Sequence, residues 1–270
     1  MGANDLTTLT AVKSWLKVQN ATDDALLSGL VSACSIAFLQ QIVRDTIFKR
    51  SVTRTLQGVA GNYVMLPTAP VISVSSLMIA GVAIPAATTF GTAGYLLEPF
   101  DGLPPANLQR LTLNGFGFSR APGGVVISYV DGYFIPDEPA TIAAGAVTVS
   151  ALAGVWGRDE GVKTAAGVTM TRVSGTPGVG QYQVDVATAG KYNFNSADNG
   201  TAVLVSYSYI PADIWQGVTE WCAERYRYRD RIGQTSHTLQ GQQTTAFDNS
   251  GVPKFVAAII GRYQAKVPVG

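Results

Sequence analysis

At 270 residues the chain has room for one large domain or two ordinary ones, and two are expected, each burying a core without metals or disulfides. Hydrophobic residues reach 47%, charged residues only 14%, and 29 positions are glycine, a mixture that predicts a β-rich protein with many turns. A formal charge of +1 argues against a dedicated nucleic-acid or membrane-surface binder, and sparse charge leaves the apolar, small-residue surface that suits an assembly subunit.

The N-terminal MGANDLTTLT has neither a basic region nor an apolar run, and no segment reaches membrane-spanning length, so a protein kept in a reducing cytoplasm is expected. Leu9, Val12 and Leu16 recur at helical spacing behind the capping candidates Thr7 and Thr8. Residues 8–18 therefore read as a short amphipathic helix, with Trp15 widening its buried face. A second helix opens at Thr22, with Asp23 and Asp24 set against the positive end of the helix dipole. Leu27, Leu30, Val31, Cys34, Phe38 and Ile42 trace one apolar stripe along it. Cys34 here and Cys222 on the apolar side of a later helix read as core thiols.

From Ser51 the period changes to two, and Gly58, Gly61, Pro67, Pro70 and Gly81 cut the chain into short strands. Pro67 and Pro70 belong at strand ends or edges, because neither can donate to a ladder. Strands follow over 108–114 and at Val125, Ile127 and Tyr129. The phrase that ends this run is used twice: Ser128-Tyr129 leads to Tyr133-Phe134-Ile135-Pro136, and Ser206-Tyr207 to Ser208-Tyr209-Ile210-Pro211. Both read as a strand running into a proline turn. The second copy opens a helix that ends in Tyr226-Arg227-Tyr228-Arg229.

The order of these motifs resembles the head-tail connector, or adaptor, proteins of tailed bacteriophages. The matching features are two N-terminal helices, the second opening on Asp23-Asp24-Ala25-Leu26-Leu27; then Leu66-Pro67, Pro70-Val71 and Val74; then Ser128-Tyr129-Val130-Asp131-Gly132-Tyr133; then Ile210-Pro211-Ala212-Asp213-Ile214 at the head of a helix. The resemblance covers about residues 5–134 and 210–232. In ordinary members the Gly-Tyr strand end runs almost directly into the proline-led helix, whereas about 75 residues, Ile135 to Tyr209, intervene here. The doubled Tyr-x-Ile-Pro is what an insertion there leaves behind.

The inserted part carries its own alternation at Val147 and Val149, at Tyr182, Val184 and Val186, and at Val203, Val205 and Tyr207, with turns at Gly175–Gly180 and Asp198-Asn199-Gly200. A small β-sandwich or barrel anchored at both ends is expected, and its motifs also resemble a β-domain of assorted phage structural proteins. The fold class is thus α+β: a helical adaptor core with short strands over 1–134 and 210–233, an inserted all-β domain over 135–209, and a polar arm with a docking helix over 234–270. Residues 234–251 are polar and nearly without apolar anchors, predicting a flexible or extended arm with a reach of about 60 Å. Beyond it, Phe255, Val256, Ile259, Ile260 and Tyr263 form a helical stripe behind Pro253. That stripe must be buried on its own domain, on a neighbouring copy, or on another protein. The resemblance tilts the choice towards a neighbouring copy or the portal.

Catalytic chemistry lacks parts. His237, the only histidine, sits in the polar arm and reads as solvated, so triads and His-rich metal sites are incomplete. The glycine cluster Gly175–Gly180 lacks a phosphate-loop lysine and reads as a hairpin turn. The acid pairs Asp137-Glu138 and Asp159-Glu160 put neighbouring carboxylates on opposite sides of a strand. Arg225, Arg227, Arg229 and Arg231 suggest a nucleic-acid stripe, but each two-residue step turns about 200° on a helix, so Arg225 and Arg229 share one face and Arg227 and Arg231 nearly the opposite one. Glu224 is spaced to pair with Arg227. The arginines read better as ion-pairing groups at subunit contacts.

The resemblance implies a non-enzymatic neck subunit without cofactor or metal, assembled in the host bacterial cytoplasm and resident in the virion at the portal vertex. Its partners would be itself, as a cyclic homo-oligomer expected to be twelve-fold, the portal protein, and a tail or stopper protein. DNA would pass through the channel without sequence-specific binding, and no membrane is involved. Alternatives are a tail-completion or baseplate protein and a glycan-binding virion β-module.

Overall fold

The computed structural model describes residues 2, 4–58, 60–99, 109–118, 120, 122–150, 154–229, 236–239, 243–246 and 251–264, the segments 236–239 and 243–246 by backbone alone. The protein is mixed α+β and divides into a helical unit, from residues 1–46 and 211–264, and a β-rich unit from 47–210.

In the helical unit, α1 (Leu9–Leu16) begins where Thr8, in extended backbone, accepts the Ala11 amide on its hydroxyl at 3.1 Å. It ends at Lys17, which adopts the left-handed conformation. Trp15 lies 48% exposed rather than widening the buried face, because Val12 is the residue of α1 that is fully buried. The next helix, α2 (Asp24–Gln41), starts later than Thr22, with Asp23 at its cap and no side-chain capping bond. Its acid pair reaches sideways: Asp24 pairs with Lys13 of α1 at 2.6 Å, and Asp23 accepts the Tyr226 hydroxyl at 2.5 Å. The apolar stripe is buried as expected at Leu27, Val31, Cys34, Phe38 and Ile42.

Pro211 leads into α3 (Ala212–Tyr228), which buries Ile214, Val218, Trp221 and Cys222. Its partners lie at the other end of the chain. Thr219 and Thr7 hydroxyls meet at 2.5 Å, and the Cys222 Sγ sits 3.6 Å from the Leu30 carbonyl oxygen of α2. The last helix, α4 (Lys254–Tyr263), packs on α3. A Cβ on Gly217 of α3 would lie 2.5 Å from Ile259 Cδ1, so the missing side chain lets α4 approach. Tyr263 donates its hydroxyl to Asp213 at 2.8 Å, and Arg262 pairs with the same carboxylate at 3.3 Å.

The β-rich unit begins with β1 (Arg50–Leu56), β2 (Tyr63–Met65), β3 (Val71–Ile79), β4 (Val82–Ile84), β5 (Gly94–Glu98), β6 (Arg110–Asn114) and β7 (Val125–Asp131). They form two antiparallel sheets, β1-β7-β3-β4 and β2-β6-β5. Alternate residues of β7 (Val125, Ile127 and Tyr129) meet Leu77, Ile79, Leu111 and Leu113 in one core. Pro67 and Pro70 fall between β2 and β3, outside any strand.

The second set is β8 (Phe134–Thr141), β9 (Ala146–Thr148), β10 (Gly154–Thr164), β11 (Thr171–Arg172), β12 (Gln181–Val184), β13 (Lys191–Phe194) and β14 (Ala202–Pro211), in sheets β10-β14-β8 and β11-β12-β13-β9. The strands of each set pair within that set. Tyr133-Phe134-Ile135-Pro136 is not a turn: it enters β8, and Pro136 and Pro139 are tolerated because β8 is an edge strand. β8 carries one extra residue opposite Val205–Tyr207, and Asp137 at this bulge has φ 53°. The two copies of the repeated phrase therefore lie side by side, with Phe134 opposite Ser208 and Ile135 opposite Tyr207. The Tyr209 amide donates to the Tyr133 carbonyl at 3.1 Å, and their rings meet edge-on at 5.6 Å.

Two further expectations change. The Gly175–Gly180 stretch is not a hairpin turn, because β11 and β12, on either side of it, run parallel. The loop doubles back with the Gly180 amide held by the Asp198 carboxylate at 3.1 Å. Within the expected arm, β15 (Ser236–Leu239) and β16 (Gln243–Ala246) form an antiparallel hairpin, so extended backbone pairs with itself there. Among the described residues no helix is long and apolar enough to cross a membrane.

Candidate functional site

The residues expected to dock a partner divide between two faces of α4. Val256, Ile259 and Ile260 are buried in the helical unit, Tyr263 is half-buried on Asp213, and Phe255 is 41% exposed. The stripe thus adopts the first of its three possible burials, on its own chain. Phe255, Ala258 and Arg262 remain on the exposed side. The reason is legible in α3, where Gly217 leaves a gap that Ile259 fills.

The arginine series is similarly divided. Arg225 donates to the Gly251 carbonyl at 3.1 Å, beside Trp221 Nε1, which donates to the same oxygen at 3.2 Å. The two bonds tie the chain just before α4 to the side of α3. Arg229 reaches Asp23 at 3.4 Å and stacks 4.6 Å above the Tyr226 ring. The Tyr226 hydroxyl, with Arg229 behind it, holds the Asp23 carboxyl below the usual carboxylate range. Arg227 is exposed on another side of the helix, and Glu224 is half-buried. Arg231 lies outside the described residues. The turn of about 200° per two-residue step therefore separates Arg227 from its neighbours, while Arg225 and Arg229, although exposed, bind within the chain.

The acid pairs are occupied by structural contacts. Asp137 pairs with Lys163 at 2.8 Å and accepts the Ser206 hydroxyl, contacts that lower its carboxyl's pKa, the lysine foremost. Glu138 accepts the Tyr207 hydroxyl, and Asp159 accepts the Tyr182 hydroxyl at 2.9 Å and pairs with Arg172. Glu160 binds Arg158 and the Ser208 hydroxyl. Among the described residues no three His, Cys, Asp or Glu side chains group as a metal site.

No family model and no curated protein matches the chain. Among solved structures, it is similar to a chain from the neck of an empty GTA (gene transfer agent) particle computed with C6 symmetry. That likeness is at 22% identity and a TM-score of 0.32, covering 49% of this chain and 69% of the other.

Sequence reasoning did not find a groove of about 400 Å³ between α1 and α3, lined by Ala11, Ser14, Trp15, Lys17, Trp215, Gln216 and Thr219. The signal is Trp15, which stands beside the Val12 stripe but at the exposed edge of α1. Nor did it find that Asp23 and Tyr226, 203 residues apart, join the start of α2 to the end of α3.

Proposed function

We propose that the protein is a structural subunit of a phage neck: a head-tail connector that packs into a closed ring below the portal, leaves a channel for DNA, and receives tail components. The ring would be built by heterologous contacts between identical copies. Portal, tail or stopper protein and further copies of the chain are its partners, and DNA passes without sequence-specific contact.

The observation that carries the reading is the reunion of the chain's two halves. The proline-led α3 packs on the segment leading into α1 through Thr7–Thr219 and on α2 through Cys222–Leu30, as expected if one adaptor core had been split by an insertion. The meeting of Tyr133 and Tyr209, where residues 135–209 leave and return, supports the same view. On this reading residues 135–209 form an inserted β-domain that projects from the neck. Phe255 and the exposed side of α4 are the part of the C-terminal segment open to portal or a neighbouring copy.

The test is assembly. Purified protein, alone and mixed with portal protein, should give closed rings by electron microscopy and a ring-sized species by light scattering. Phe255→Ser, which alters an exposed side chain, should weaken portal attachment without unfolding the helices. A strictly monomeric protein that ignores portal would overturn the proposal.

A further inference from the structure

We propose that Cys34 and Cys222 form a dithiol that closes to an intrachain disulfide between α2 and α3 when the surroundings become oxidising, a modification that locks the helical unit. The inference rests on the helical unit itself and holds whether or not that unit belongs to a virion neck.

The two cysteines are free thiols on facing helices, Cys34 4% exposed and Cys222 fully buried. Their proximity follows from helix geometry. The Cys222 Sγ lies 3.6 Å from the carbonyl oxygen of Leu30, one turn before Cys34. A helical side chain leans towards its N-terminus and covers the preceding turn, so the Cys34 side chain lies over the 30–34 turn, where Cys222 sits. The interaction of the two thiols moves them apart in pKa: Cys222 lowers the Cys34 thiol, while Cys34 and then burial push the Cys222 thiol up. The helices are held in register nearby, since Thr219 binds Thr7 at 2.5 Å and Ser35 accepts the Leu6 amide at 2.9 Å.

The oxidant is a hydroperoxide. The Cys34 thiolate, the lowered member of the pair, attacks the peroxide oxygen; the O–O bond breaks, the leaving oxygen takes a proton from water to become an alcohol or water, and Cys34 is left as a sulfenic acid. The second thiol then displaces water from the sulfenic acid: its S–H bond breaks, one S–S bond forms, and the two electrons have passed to the peroxide. In a reducing cytoplasm the pair stays open. Because the cross-link would join residue 34 to residue 222, it closes most of the chain into one loop, and loops of that length lose the most unfolded-state freedom.

The full-length protein is treated with hydrogen peroxide under native conditions, digested without reduction and examined by mass spectrometry. The expected product is a Cys34–Cys222 linked peptide pair, formed faster as pH rises, together with an upward shift of about 5 °C or more in the unfolding of the helical unit that dithiothreitol reverses. Cys34→Ser and Cys222→Ser should each remove both the linked peptide and the shift. Thiols that remain alkylatable after oxidation of the native protein, a linked pair appearing only in denaturant, or a linked pair without a thermal shift would each overturn the proposal.

Discussion

Gly132 stands at the step from β7 into β8, and replacing it with alanine tests how closely the chain is packed there. Its φ is 122°, a conformation L-residues rarely adopt, and a Cβ would lie 2.5 Å from the Phe48 carbonyl carbon and oxygen and 2.6 Å from the Lys49 nitrogen. These are backbone atoms, held by the Gly132 amide on Pro70 at 3.0 Å and the Tyr133 amide on Ile47 at 2.9 Å, so they cannot swing away. The backbone conformation costs about 1–3 kcal/mol for alanine. Forcing a methyl against packed atoms adds about 1–3 kcal/mol. Gly132→Ala should therefore destabilise the β-rich unit by about 2–6 kcal/mol, lowering its unfolding temperature by roughly 5–20 °C. Gly161→Ala separates the two causes, since Gly161 has φ 121° with no atom within 4 Å of a Cβ. It should lose only the conformational part, about 1–3 kcal/mol. Thermal unfolding of both variants beside the parent decides the matter. If Gly132→Ala loses no more than Gly161→Ala, the close approach of Gly132 to Phe48 and Lys49 is wrong.

Two other perturbations probe each unit in turn. Burial raises the pKa of Tyr182, Tyr192 and Tyr207 in the β-rich unit, with Asp159 or Glu138 adding to the effect. A raised folded pKa means that the stability these groups contribute is complete below the unfolded value, about pH 10, and is lost as pH climbs above it. Tyrosinate absorbance should accordingly appear together with loss of β-sheet signal in one alkaline transition, whereas tyrosines that ionise near pH 10 with the sheet signal intact would contradict this burial. In the helical unit, Ile259→Ala removes the side chain seated at Gly217 and should cost about 2–5 kcal/mol of α4 docking. Hydrogen exchange should quicken across Val256–Tyr263 while α2 keeps its protection; unchanged exchange in α4 would show that Ile259 does not hold it.

What the sequence made legible depended on local pattern. The α2 stripe and the alternating core residues of β7 follow from a period of 3.6 or 2, and the apolar positions went where the period sent them. Trp15 failed because an amphipathic helix of eight residues leaves the edge of its apolar face undecided, and α3 covers only one side of it. β8 was hidden by Pro136 and Pro139, which argue against a strand unless the strand is at an edge, and edge position is a tertiary fact. The parallel pairing of β11 with β12 could not be read from glycines that suit a hairpin equally well. At the candidate interface, spacing separated Arg225 and Arg229 from Arg227. Their binding to Gly251 and Asp23, however, depends on segments far away in sequence. The docking stripe was visible as a stripe, but its occupant was set by one absent side chain at Gly217.

The hydrogen bond between Tyr133 and Tyr209 brings together the two ends of the 75 residues between them. Cutting out the residues between them would leave two ends already antiparallel and one hydrogen bond apart, a gap that a two-residue turn can close. A chain shortened in this way would lose the hold that the segment keeps on the start of the β-rich unit, where Arg158 donates to the Lys49 carbonyl at 2.8 Å and lies over the Phe48 ring.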